Sequence, residues 1–196
     1  MARQRTRDKV HQAALSLAGE GRVGAITMEG IAARAGVSKQ TLYRSWSSTG
    51  AILFDALLAR SVDEDGVVVV PDSGDLARDL EELATGMVAE LSDPTQGPLL
   101  RAVTAEMQSD EALAEEFRRL LLGPQMTAVS ERLRQGGVAE PDDVAELFVG
   151  PVLHRWLLRS RPFDADWVSA HVARTVRAAG GVRDRPTATP PVGVTL

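Results

Sequence analysis

Apolar residues recur at helical spacing along nearly the whole chain, a periodicity that predicts an all-α protein of about nine helices. Over residues 6–18, Val10, Ala13, Ala14, Leu17 and Ala18 fall on one face, and Gly19 and Gly21 end the helix. Residues 28–35 turn Ile31, Ala32 and Ala35 inward behind Thr27, a residue suited to cap a helix start. A short helix over 39–44 starts at Ser38, and Leu42 and Trp46, four apart, point toward a small core. The fourth helix, 49–61, carries Ile52, Leu53, Ala56, Leu57 and Leu58. A break at 63–75 holds a run of valines at 67–70; with no second strand candidate to pair with, the run predicts a buried connector. Helical patterning resumes over 75–92, 97–108, 110–135, 141–160 and 164–179, with Gly and Pro at the joints. Gly123-Pro124 predicts a kink or division within 110–135. The organisation that follows is a head (1–48), a connecting helix (49–62), a helical body (63–180) and a Pro- and Thr-rich tail (181–196) expected to be disordered.

Between Thr27 and Trp46 the polar positions matter as much as the apolar ones. Ala32 is small where two helices would cross, Gly36 lies at the bend four residues later, and Val37 and Leu42 fill the slots behind. That order suits the packing of a helix-turn-helix. On its second helix, Lys39, Gln40, Tyr43 and Arg44 share the face opposite Leu42. Lys39 and Gln40 can bond base edges, and Tyr43 offers a ring for apolar contact and a hydroxyl for phosphate. Ser38 and Thr41 sit at the helix start, where free amides and the helix dipole favour an anion. The same residues would also make an ordinary solvated face.

Charge shifts the balance toward nucleic acid. The net charge is −5, yet residues 1–60 hold nine Lys/Arg against four acids, leaving the remainder acidic at 13 against 23. A basic head on an acidic body suits a chain that offers one end to a polyanion. The absence of cysteine excludes disulfides and thiolate-bound zinc and fits a reducing compartment. The basic N-terminus lacks an apolar stretch behind it, and no run is long enough to span a membrane, so the expected location is the cytoplasm. There is no Gly-rich phosphate loop or nucleophile elbow, and His11, His154 and His171 lack metal spacing. No enzyme activity, cofactor or metal is expected, and His11 is expected to face solvent or cap a helix.

The stretch ITMEGIAARAGVSKQTLYRSW, followed by Ala51-Ile52-Leu53-Phe54, resembles the TetR family of bacterial transcriptional regulators. The resemblance covers residues 5–60 well and the acidic remainder loosely. It implies a three-helix DNA-binding head and a C-terminal helical domain for effector binding and dimerisation. Base contacts would fall to Lys39, Gln40 and Tyr43, and phosphate contacts to Thr27 and Thr41, with Ser38 and Arg44 in support. One departure stands out: a lysine usually opens the fourth helix, and this chain has Thr49 there, preceded by Ser47-Ser48 in place of Pro-Ser. Glu29 is unusual near a phosphate backbone and is expected to face solvent.

The last two helices carry heavy apolar residues, among them Phe148, Pro151, Trp156, Trp167 and Val172, expected to pair with their copies in a homodimer. Met87, Arg101, Val103, Met107, Phe117 and His154 are candidates to line the pocket of a small-molecule effector, each of them also compatible with plain core or surface. The expected function is a ligand-responsive repressor on a palindromic operator, with the fourth helix alone joining head to pocket. A DNA-packaging protein without sequence choice and a small-molecule carrier with a vestigial head are the alternatives.

Overall fold

A computed structural model describes residues 2–20, 26–61 and 70–181. All regular structure among them is helical: α1 (Ala2–Gly19), α2 (Met28–Ala35), α3 (Lys39–Tyr43), α4 (Thr49–Ser61), α5 (Leu76–Ser92), α6 (Gln96–Glu106), α7 (Glu111–Phe117), α8 (Gly123–Gln135), α9 (Pro141–Leu158) and α10 (Ala165–Gly181). The valine run at 67–69 and the tail from 182 lie outside the described residues. A π-helical turn, Arg118–Leu122, joins α7 to α8, so 111–135 is one continuous rod. Pro124 has no N–H to give the carbonyl four residues back, and the widened turn just before it absorbs that misfit. The described helices thus form nine rods, and the joint at Gly123-Pro124 bulges without breaking.

Capping chemistry sets the boundaries. Thr27, Ser38, Ser48, Asp75 and Asp110 each accept a backbone N–H in the first turn of the helix that follows. At the end of α2, Gly36 adopts φ +66°, and Val37 N–H reaches back to the Ala32 carbonyl at 3.0 Å. This left-handed termination needs glycine and sets the angle between α2 and α3.

Two large cores hold the described helices together. The first joins α1, α2, α3 and α4 to Leu99, Ala102 and Val103 of α6 and Leu113 of α7. The second joins α5, α8, α9 and α10 around Leu80, Leu133 and Phe148. The head is therefore continuous with α6 and α7, and α1 as well as α4 packs on α6. The expectation that the fourth helix alone makes that connection does not hold.

Across the second core, Arg132 forms a fork on Asp79, both fully buried. Burial raises the Asp79 carboxyl, but hydrogen bonds from Ser73 and the Arg132 guanidinium outweigh it and hold it below the ordinary carboxylate value. Removing one member of such a pair strands the other charge, which costs far more than replacing both. Arg132→Met is expected to lower the melting temperature by on the order of 10 °C in a calorimetric scan. Asp79→Leu/Arg132→Met should recover most of that loss; a double variant no better than the single would disprove the account.

Candidate nucleic-acid interface

The recognition face is built on only five helical residues, so its rigidity comes from what lies behind it. Leu42 is completely buried in the first core, while Tyr43 next to it is 56% exposed. A tyrosine ring held in water by a buried neighbour is available to a partner. Lys39, Gln40 and Arg44 are exposed on the same helix or its end, and Thr41 is half-buried. Ser38 caps α3 by accepting from Thr41 N–H at 3.2 Å, and Thr27 caps α2 by accepting from Gly30 N–H at 3.1 Å. The Ser38 and Thr41 hydroxyls are also bonded to each other at 2.9 Å, so one of their two O–H groups is spent within α3 and the other is left to donate to a phosphate oxygen. Thr49 is half-buried at the first position of α4, behind the capping Ser48.

Two ion-pair systems surround this face. Lys39 Nζ lies 2.5 Å from Glu29 on α2, both exposed, and the contact with Lys39 lowers the Glu29 carboxyl. Glu29 does not simply face solvent: it holds one of the base-reading candidates before DNA arrives. Glu29→Gln should free that lysine, raising affinity for duplex a few-fold and steepening the salt dependence by up to about one unit of slope per subunit. An unchanged slope in a salt titration of duplex binding would rule that role out.

The second system is centred on Asp55 of α4, which sequence reasoning missed. Asp55 accepts from Trp46 Nε1 at 2.9 Å, from His11 Nε2 at 2.9 Å and from a charged Arg7 fork. One carboxylate thus ties the segment leaving α3 to α1 and α4. Burial works to raise Asp55, but these three donors prevail and hold it far below the ordinary value. His11 is buried and bonded, so the expectation of a solvent-facing or capping histidine is corrected. The available signal was Asp55 itself, the only acid in α4, which is otherwise largely apolar.

The predicted effector and dimer residues fare differently. Val103 is sealed in the first core, with Met107 and Phe117 packed against it; Met87 and Arg101 lie elsewhere, near Trp156; His154 is exposed on α9. The six therefore do not line one cavity, because α6 spends its inner face on the head. The groove of roughly 850 Å³ under the α3–α4 turn is lined by Arg7, Arg44, Trp46, Phe54 and Leu120, with none of the six. Phe148, Trp156 and Val172 are buried within the protomer, and Trp167 is half-buried, stacked on His171. Phe148, Trp156 and Val172 thus pack the chain's own interior, whereas Trp167 keeps part of its surface exposed. Pro151 is exposed on the outward stripe of α9, with Leu147, Leu157 and Leu158.

Comparison with known proteins decides the family. Residues 11–56 match the model for bacterial regulatory proteins of the tetR family, and residues 70–175 match the tetracyclin repressor-like C-terminal domain. The chain belongs to the TetR family. It is a helix-turn-helix transcriptional regulator of the ligand-responsive repressor type. It is 33% identical over 168 residues to the HTH-type transcriptional regulator YdeS of Bacillus subtilis, covering 80% of this chain and 83% of that protein. AqdR of Rhodococcus erythropolis is 32% identical over 132 residues, 67% of this chain and 61% of AqdR. Among solved structures, the TetR family regulator SCO0332 superposes with a TM-score of 0.65 at 28% identity, over 88% of this chain and 97% of that one. A regulator from Pseudomonas aeruginosa PAO1 shares the fold, with a TM-score of 0.66 at 19% identity, over 93% of each chain.

Proposed function

We propose that two copies of this TetR-family chain pair through the outward faces of α9 and α10 and act in the cytoplasm on a palindromic operator. Each α3 enters a major groove, the two lying about 34–36 Å apart or a multiple of that spacing. Lys39, Gln40 and Tyr43 read bases, while the hydroxyls of Thr27, Ser38, Thr41 and Thr49, with Arg44, meet phosphates. A small-molecule effector binds the body and favours a separation of heads that no longer fits, shifting the equilibrium only by its differential affinity for the two states.

The observation carrying this proposal is the exposed Tyr43–Lys39–Gln40 face, backed by the fully buried Leu42. Operator fragments selected from a genomic pool would supply the duplex for a test. Tyr43→Ala is expected to lose at least about thirtyfold in affinity, the scale of one central aromatic anchor, with dimerisation intact. Lys39→Ala should relax base preference at one position per half-site. Wild-type affinity in Tyr43→Ala would refute the docking.

A further inference from the structure

The end of α9 presents a combination that core packing does not account for. Trp156 is 6% exposed, yet its indole N–H has no hydrogen-bond partner. A buried indole donor normally finds an acceptor, because leaving one unmade costs its full desolvation. Over the ring of Trp156, 5.0 Å from its centroid, lies the guanidinium of Arg101 from α6. Arg101 is half-buried, and among the described residues no carboxylate is within ion-pair distance of it. Burial disfavours its charge, and Arg159 nearby disfavours it further.

Arg159 and Arg155 have an ordinary explanation, since cations suit the negative end of a helix dipole and both lie at the close of α9. That explanation does not extend to Arg101, which comes from another helix, or to the orphaned N–H. The surrounding apolar groups form a small third cluster, distinct from both main cores. Leu91, Val152 and Trp156 are its buried members, and Met87, Leu100 and Phe163 are only partly covered. Gly97 lets α6 approach α5 closely enough to make this corner, for a Cβ there would fall 2.4 Å from the Leu91 carbonyl oxygen.

We infer that this corner between α5, α6 and α9 is the effector site, and that its ligand is an apolar monocarboxylate. The carboxylate accepts from the Arg101 guanidinium and the Trp156 indole N–H, and its apolar body lies on Met87, Leu100 and Phe163. A guanidinium and one neutral donor match a single negative charge. A dianion such as phosphate would bring a larger desolvation cost into partly apolar surroundings with no further donor to offset it. The inference rests on the proposed role as an effector-controlled regulator and extends it to a ligand class and a route. Arg101 sits beside Ala102 and Val103, which are buried in the core shared with α1 and α4. At the start of the same helix, Gln96 accepts from Arg60 of α4 at 2.8 Å. A ligand bridging α9 to Arg101 therefore pulls on the helix that carries the head.

The test uses the full-length ¹⁵N-labelled protein and the indole N–H resonance of Trp156, assigned by its disappearance in Trp156→Phe. Benzoate and hexanoate are titrated, with benzamide and hexanamide as uncharged controls. The expected result is a saturable shift of the Trp156 resonance with either carboxylate, none with the amides, and affinity at least about tenfold weaker in Arg101→Gln. A resonance unmoved by both acids up to about 10 mM would overturn the site, given that millimolar affinity is the weakest a regulator could use. So would equal shifts with the amides, or wild-type binding in Arg101→Gln. Operator binding is measured separately on the same samples. If operator binds and Trp156 does not move, the carboxylate site fails and the regulator role stands; if Trp156 moves and no duplex binds, the carboxylate site stands and the regulator role fails.

Discussion

Leu147→Glu/Leu158→Glu is expected to sediment as a monomer at about 10 µM and to bind operator at least about a hundredfold more weakly than the parent chain. Leu147 is 53% exposed and Leu158 63%, on one stripe of α9 with Pro151 between them. The stripe, interrupted only by the exposed His154, offers apolar side chains to a partner, and a two-fold axis across it would cover them twice. Burying one leucine contributes about 1.5–3 kcal/mol, so four across the axis supply much of the roughly 8 kcal/mol that a micromolar dimer needs. Two glutamates per copy would instead set four carboxylates against one another. Because both positions are exposed, helix content and melting behaviour of the protomer should be preserved. Phe148→Glu makes the contrast: it buries a charge inside the protomer and should unfold it. A dimer persisting in the double glutamate variant, with parental affinity for operator, would remove the α9 face from the proposal.

That contrast also shows what the pattern of residues could and could not reveal. Helical periodicity located the elements because it follows from backbone geometry and a one-sided core, both local properties. The turn at Gly36 was legible because only glycine tolerates φ +66° cheaply. Heavy apolar residues on α9 and α10 were a poorer guide, since a helix packed in a protomer and also facing a partner is apolar on two sides. The apolar weight of the whole helix then says nothing about which side is which. Phe148 and Trp156 proved to face inward, whereas the more modest Leu147, Leu157 and Leu158 face out. Val103, Met107 and Phe117 pack in or against the core that the body shares with the head, a long-range arrangement with no local signature. Lys39 and Tyr43 were singled out correctly as exposed, but the pairing of Lys39 with Glu29 spans two helices and emerged only with the fold.

Asp55 is the strongest case of a residue whose role depends on assembly, and Asp55→Asn should have the largest effect of any single conservative change in the head. The carboxylate meets three donors: the Arg7 fork, His11 and the Trp46 indole. Asparagine offers one acceptor and turns an N–H₂ toward donors, so at least one partner is left facing another donor. Losing a charged acceptor in such a network costs about 2–3 kcal/mol. Because Trp46 closes the segment directly after α3, that cost appears in the setting of the recognition helix. Operator affinity should fall by on the order of a hundredfold while sedimentation still shows a dimer. The Trp46 indole resonance should also move upfield as its charged acceptor is lost. Acid provides an independent check. Asp55 is held well below its ordinary value of 3.8, so its stabilisation is fully present above that value and is lost as pH falls beneath it. The parent chain should lose melting temperature on acidification from about pH 5 to about pH 3, and Asp55→Asn, lower at the outset, should lose less. Parallel losses in the two proteins would mean that Asp55 contributes nothing through its charge. The basic head would then be held by its apolar core alone, and Trp46 would be free of the part assigned to it.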